Sequence, residues 1–239
     1  MSEDFLPIKG IDHIEVYVGN AKQAAHFYRT GFGYADLAYS GLETGNRRSA
    51  SYVLGQGLIR LVLTAPLSPD DAIARHVGLH GDGVGIIAMS VPNAADAYRE
   101  STTRGATGAI APTQVEDEHG VLRYSAIRCY GDTLIKFVDR SDYHGPFAPG
   151  YVARNGSLNG ANGRHKGVGL AAIDHMVGNV ELGAMNRWVD FFADTMGFSQ
   201  LIHFDDEDIS TEYSALMSKV MQDGSGKVKF PINEPAEGK

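Results

Sequence analysis

Two stretches of the chain alternate between apolar and polar residues, and each precedes a segment with helical periodicity. The first stretch is IDHIEVYVGN at 11–20, and its helix is expected to end at Gly31. The second is IDHMVGNV at 173–180, and its helix is expected to end at Gly197. The shared order of strand, helix and glycine predicts a repeated unit.

Each unit continues into β-type runs that flank turn residues, and a further unit lies between the two. The expected turns are centred at 55–57, at Gly131-Asp132 and at 223–226. The pattern therefore predicts an α+β fold of three βαβββ modules, near residues 9–66, 82–140 and 171–233.

The domain organisation follows from these modules. Modules one and two would form an N-terminal domain at 1–150, and a Gly/Asn-rich linker would occupy 151–169. Module three, within 170–239, would then stand without a partner, although a sheet that expects one would keep an open edge. We expect a chain that is truncated before a fourth module or that completes itself by oligomerising.

Composition limits the class of function. Hydrophobic residues make up 43% of the chain, and no apolar run approaches the ~18–20 residues that cross a bilayer. The net charge is −8 without clustered Lys or Arg, which disfavours nucleic acid as a partner and favours a small molecule. An N-terminus without a signal sequence and a single cysteine, Cys129, interpreted as a core residue, indicate the cytoplasm.

The repeated Ile-Asp-His offers one imidazole per copy, His13 and His175. In a regular strand His175 would share a face with Val177, and Asp174 would point to the other face. Such a histidine is more often structural than a metal ligand. His76 and His80, spaced i and i+4, lack the glutamate of a metalloprotease motif, so we do not predict a metal site there. No nucleotide-binding or GxSxG motif is present.

Three stretches in the last third of the chain are specific enough to indicate a protein family. IDHMVGNV, TEYSALMSKVMQDG at 211–224 and KVKFPINEP at 227–235, in this order, resemble the 4-hydroxyphenylpyruvate dioxygenases of the vicinal-oxygen-chelate superfamily. The resemblance covers nearly the whole chain. It implies four βαβββ modules, a metal-free N-terminal domain and a C-terminal domain that holds Fe(II) with two histidines and one glutamate.

The resemblance assigns individual positions. His175 matches the first iron ligand, His13 would be a relic of the repeat, and the other two ligands would belong to the absent fourth module. Ser218 and Asn233 match polar residues thought to orient the aromatic substrate, and Val177 and Pro231 match pocket-lining residues. Alternatively, Ser218 is an ordinary strand serine and Pro231 marks an edge strand or a bulge.

The implied reaction converts an aromatic α-keto acid, 4-hydroxyphenylpyruvate, and O2 to homogentisate and CO2 in tyrosine catabolism. The resemblance also implies a homodimer or homotetramer. Two alternatives remain open: a 4-hydroxymandelate synthase, which hydroxylates the benzylic carbon of the same substrate, and a non-catalytic small-molecule binding module or inactive fragment.

Overall fold

The structure is a computed structural model that describes residues 4–154, 167–204 and 216–235, with the backbone alone at 202–204. Its strands are β1 (Gly10–Tyr17), β2 (Ala35–Ser40), β3 (Ser49–Gln56), β4 (Ile59–Pro66), β5 (Gly83–Ser90), β6 (Gly108–Asp117), β7 (Gly120–Arg128), β8 (Leu134–Tyr143), β9 (Val152–Ala153), β10 (Gly178–Asn179), β11 (Ser199–Phe204), β12 (Leu216–Gln222) and β13 (Lys229–Pro235). Its α-helices are α1 (Ala21–Phe32), α2 (Ala72–His80), α3 (Ala94–Thr103) and α4 (Met185–Met196).

The strand order confirms the three predicted modules. One sheet runs β6-β7-β8-β5-β1-β4-β3-β2-β9, and a second runs β10-β13-β12-β11. In every module the first strand pairs in parallel with the fourth, as β1 does with β4, β5 with β8 and β10 with β13. The first two modules join through the antiparallel pair β1–β5. In the described residues, β10 has no strand on its other side.

Side-chain capping and glycine fix the helix ends. The Asn20 side chain accepts a hydrogen bond from the N–H of Gln23 and starts α1. The helix continues past Gly31 and ends at Gly33, whose φ of 71° gives the left-handed cap. The predicted end at Gly31 is therefore wrong by two residues, because both glycines permit this cap and only the later one adopts it. The predicted end of α4 at Gly197, with φ also 71°, is confirmed.

The predicted turns join antiparallel strands in all three modules. They connect β3 to β4, β7 to β8 and β12 to β13. Within the motif at 211–224, residues 211–215 lie outside the described residues, as do residues 155–166 of the predicted linker.

The third module packs against the second through one continuous apolar core. Helix α4 contacts α3 on one side and β12 and β13 on the other. At its centre Phe192 and Phe230 are fully buried with ring centroids 4.7 Å apart, and burial of each ring contributes roughly 1.5–3 kcal/mol. The third sheet is therefore supported through α4 by packing against the N-terminal modules. No helix in the described part of the chain has the length and apolarity of a membrane span.

Both flanks of the predicted linker contact the first module. Strand β9 extends the sheet by pairing with β2, and the Gln56 side chain accepts hydrogen bonds from the N–H groups of Gly169 and Leu170 at 3.1 Å each. The division at 150 and 170 stays a prediction.

Candidate metal and substrate site

His175 lies in an extended segment immediately before β10, and its side chain is 47% exposed. Its Nδ1 is 2.8 Å from Asp174 Oδ2. The hydrogen bond from His175, together with the ammonium of Lys229, lowers the pKa of Asp174, so this carboxylate is ionised and can only accept. Nδ1 of His175 therefore donates, and in the neutral ring Nε2 keeps its lone pair. A metal-binding histidine has this arrangement, with the second nitrogen bonded to a carboxylate.

The expectation that Asp174 points away from His175 is wrong. Ile173 packs against the hydrophobic core, whereas Asp174 and His175 are both exposed and contact each other. The segment at 170–177 is not part of a regular strand, so strict alternation of side chains does not apply there.

Pro231 accounts for the short β10 that follows. The carbonyl groups of Lys229 and Asn233 accept hydrogen bonds from Met176 and Val180, so this edge of β13 faces the segment that carries His175. Pro231 lies between these two acceptors on the same edge, and it has no N–H to donate. The ladder loses a bond at this point, and pairing is assigned only at Gly178 and Asn179.

The interpretation of Pro231 as a mark of an edge strand or bulge is also wrong. Strand β13 is paired on both sides, and its register with β12 runs without a shift through the pair Val220–Pro231. Pro231 is instead a proline in a central strand, partly buried, on the face away from α4.

The same face of the sheet carries a row of polar side chains. Asn233 lies opposite Ser218 on β12 and opposite Asn179 on β10, and Asn233 Nδ2 donates to Asn179 Oδ1 at 3.3 Å. Ser218 is buried, whereas the other two are accessible. Asn179 was not predicted, although it lies two residues after Val177 in the same alternation.

Val177 lies beside this face. It is 48% exposed, whereas its neighbour Gly178 is buried. Ser218, Pro231 and Asn233 thus share the face opposite α4 with Asn179, and His175 and Val177 lie exposed in the segment that leads into β10 beside them. A surface with one imidazole, amide and hydroxyl groups and two apolar side chains suits a small ligand with an aromatic body and polar ends.

The first copy of the Asp-His pair has the same bond in a different setting. His13 Nδ1 is 2.6 Å from Asp12 Oδ1, and His13 is only 2% exposed. Arg140 donates to both oxygens of Asp12 at 2.7 and 3.0 Å, and the ring of Phe147 packs at 5.1 Å from that of His13. A bulge in β1 at Asp12 places both side chains on one side. These contacts suit a structural pair.

Residues 10–133 match the family model of the Glyoxalase/Bleomycin resistance protein/Dioxygenase superfamily. Together with the repeated βαβββ modules, this match shows that the chain belongs to that superfamily.

Within the superfamily, the chain is similar to 4-hydroxyphenylpyruvate dioxygenases. It is 43% identical to that of Dictyostelium discoideum over 97% of this chain and 63% of the relative. It is 39% identical to that of Aspergillus fumigatus over the whole chain and 63% of the relative. The chain thus spans less than two thirds of the length of these relatives. A solved mutant of 4-hydroxymandelate synthase from Streptomyces coelicolor shares the fold, with a TM-score of 0.83 and 22% identity over 97% of this chain and 64% of that one.

The iron site that the resemblance implies needs two further ligands beside His175. Among the described residues, no group of three candidate ligands includes His175. The described face therefore fits one ligand of a two-histidine, one-carboxylate centre, with its imidazole held in the tautomer that such a centre needs.

Proposed function

We propose that this chain forms part of an Fe(II)-dependent 4-hydroxyphenylpyruvate dioxygenase, which converts 4-hydroxyphenylpyruvate and O2 to homogentisate and CO2 in tyrosine catabolism. The observation that supports the proposal is the row of Ser218, Pro231 and Asn233 on one face of the third-module sheet, next to the exposed His175, whose ring is bonded to Asp174. The similarity to the dioxygenases over nearly the whole chain supports it.

The residues have separate roles in this proposal. His175 binds the metal through Nε2, and Asp174 holds its ring. Fe(II), if held by His175 and two further ligands, would supply open coordination positions for the α-keto acid and for O2. Asn233 and Ser218 position the phenol ring through hydrogen bonds, while Val177 and Pro231 form an apolar wall that excludes water from the reacting groups.

A second histidine and a carboxylate must come from elsewhere. The side of β10 that no described strand covers corresponds to the side of β1 that pairs with β5, so a further βαβββ module could pair antiparallel there. We propose that such a module supplies the missing ligands. A homodimer or homotetramer and a cytoplasmic location remain parts of the proposal.

The test compares the chain alone with a fusion. The part of the Dictyostelium relative that follows its matched region is joined after Pro235, and both proteins are assayed with Fe(II), O2 and 4-hydroxyphenylpyruvate. We expect homogentisate from the fusion and none from the chain alone. In the fusion, His175→Ala abolishes turnover, whereas His119→Ala, which removes a histidine of similar exposure (46%) in the β6–β7 turn, leaves it unchanged.

The Asn233 role is tested in the same fusion. Asn233→Ala is expected to lower the rate of homogentisate formation, because the ring loses an orienting amide; an unchanged rate removes Asn233 from the site. A fusion that is folded by circular dichroism and binds iron but makes neither product contradicts the enzyme proposal and favours a binding module. If 4-hydroxymandelate is the product, the synthase alternative is correct.

A further inference from the structure

Helix α2 carries two histidines that the proposed dioxygenase site does not use. His76 and His80 lie one helical turn apart near the end of the helix, and their ring centroids are 4.8 Å from each other. His76 is 9% exposed, and its ring packs edge-on against Tyr17 at 5.1 Å. The two imidazoles therefore share one side of α2, one fixed by packing and the other accessible.

The fold brings a carboxylate to this pair. Asp132 lies in the turn between β7 and β8, 52 residues after His80, and its Oδ2 is 2.8 Å from His80 Nε2. One ligand atom from each of His76, His80 and Asp132 lies within 4.8 Å of the others. Asp132 was not predicted as a partner, because nothing in the local sequence links the turn to α2.

We propose that His76, His80 and Asp132 form a binding site for a divalent transition metal such as Zn²⁺. Two imidazoles and one carboxylate are borderline ligands that suit Zn²⁺, Co²⁺ or Ni²⁺ rather than Mg²⁺ or Ca²⁺, which prefer oxygen. The metal replaces the hydrogen bond between His80 and Asp132 and clamps α2 to the β7–β8 turn, with water at the open position.

The geometry requires only small movements. In a tetrahedral zinc site with Zn–N distances of about 2.0–2.1 Å, neighbouring ligand atoms are about 3.3 Å apart. His80 Nε2 and Asp132 Oδ2 are already closer than this, and the side chains of His80 and Asp132 are 46% and 59% exposed. They can therefore rotate towards His76 without disturbing the core.

This site is independent of the proposed function. It lies between helix α2, which connects the first two modules, and a turn of the second module, whereas the proposed iron ligand His175 lies in the third. It also has a practical consequence, since a metal titration of this chain would register one ion here even if His175 bound none.

The test is a titration of the full chain, without a histidine tag and stripped of metal, with Co²⁺ followed by visible absorption and with Zn²⁺ followed by calorimetry. We expect one ion per chain and the absorption bands of low-symmetry Co²⁺. His80→Ala and Asp132→Asn are each expected to weaken binding by about tenfold or more, because each removes one of three ligands. His119→Ala is the matched control and is expected to leave this binding unchanged.

Melting temperatures measured without and with Zn²⁺ distinguish a metal site from a purely structural contact. Because a ligand that binds only the folded state stabilises it, Zn²⁺ is expected to raise the melting temperature of the wild type and of His119→Ala but not of His80→Ala. Absence of stoichiometric binding to the folded wild type, or an affinity equal to that of the wild type in both His80→Ala and Asp132→Asn, would overturn the proposal and leave His80–Asp132 as a hydrogen-bonded pair only.

Discussion

Glu234 is expected to stabilise helix α4 from the neighbouring strand. Residue Ala184 occupies the N-cap position and has no side chain that can accept a hydrogen bond. Glu234 on β13 supplies the acceptor instead: its Oε2 lies 2.9 Å from the backbone N–H of Met185, and the residue is 7% exposed. Loss of an N-cap costs about 1 kcal/mol, and loss of a partly buried negative charge at a helix N-terminus adds up to ~2 kcal/mol.

The substitution Glu234→Ala is therefore expected to lower the free energy of unfolding by about 1–3 kcal/mol. For a chain of this size, 1 kcal/mol corresponds to a change of roughly 2–4 °C in melting temperature, so the expected decrease is about 2–12 °C. Glu234→Gln keeps an acceptor without the charge and is expected to fall in between. The control is Glu181→Ala, which removes an exposed carboxylate just before the same helix.

Thermal unfolding followed by circular dichroism measures these differences. If Glu234→Ala melted within ~1 °C of both the wild type and Glu181→Ala, where ordinary surface substitutions fall, the capping argument would be refuted. The result also bears on the proposed site, because Glu234 follows Asn233 directly and the two side chains point to opposite faces of β13.

Three further predictions concern buried groups of the N-terminal modules. Burial raises the pKa of Cys129 to about 12, so this thiol is expected to react with Ellman's reagent at pH 8 only after unfolding. Arg140→Ala removes the nearer cation from the buried Asp12 carboxylate and leaves Arg60 at 3.7 Å, so it is expected to cost up to about 3–5 kcal/mol in urea unfolding. Burial lowers the pKa of His13 in the folded state, so below pH ~6.5 the unfolded chain binds a proton that the folded chain does not. The contribution of neutral His13 to stability is therefore present above pH ~6.5 and is lost as the pH falls below it. His13→Gln removes this group and is expected to reduce the decrease in melting temperature as the pH falls below ~6.5.

The sequence predicted the module architecture well because periodicity and turn residues are local signals. The helical periodicity that ends at Gly197 and the turn at Gly131-Asp132 depend on nearby residues alone, and the structure confirms both. The helix end at Gly31 was wrong because two glycines two residues apart carry the same signal, and in the structure it is the Gly33 N–H that closes the helix.

The contacts that could not be predicted depend on the fold or on a broken pattern. Asp132 reaches His80 only because the β7–β8 turn lies beside α2. Asp174 bonds to His175 because the segment is not a strand, and a missing N–H at Pro231 interrupts the ladder beside it. The expectation for Asp174 assumed a regular strand with alternating side chains at this point. It therefore placed the Asp174 carboxylate on the wrong face.

In both Asp-His pairs, Nδ1 of the imidazole is hydrogen-bonded to the aspartate. What Nε2 can contact is then determined by the residues around each pair. In the first copy Arg140 and Phe147 enclose the pair, whereas in the second His175 is 47% exposed on the proposed site face. The difference in chemistry thus comes from what covers each pair rather than from the dipeptide. If Asp174 orients His175 for metal binding, the imidazole of His175 must already be in the Nδ1–H tautomer in the metal-free protein.

The Nδ1–H tautomer of His175 is therefore expected to be enriched in the wild type and to decrease in Asp174→Ala, because the variant loses the acceptor for that proton. Two-dimensional ¹H–¹⁵N correlation of the imidazole nitrogens, recorded about two pH units above the ordinary pKa of histidine, ~6.5, measures the two forms directly. Glu118→Ala, which removes an exposed carboxylate beside His119, is the control and leaves the His175 signals unchanged. Equal tautomer populations in the wild type and Asp174→Ala would mean that the contact does not orient the ring, and the positioning role of Asp174 would be abandoned.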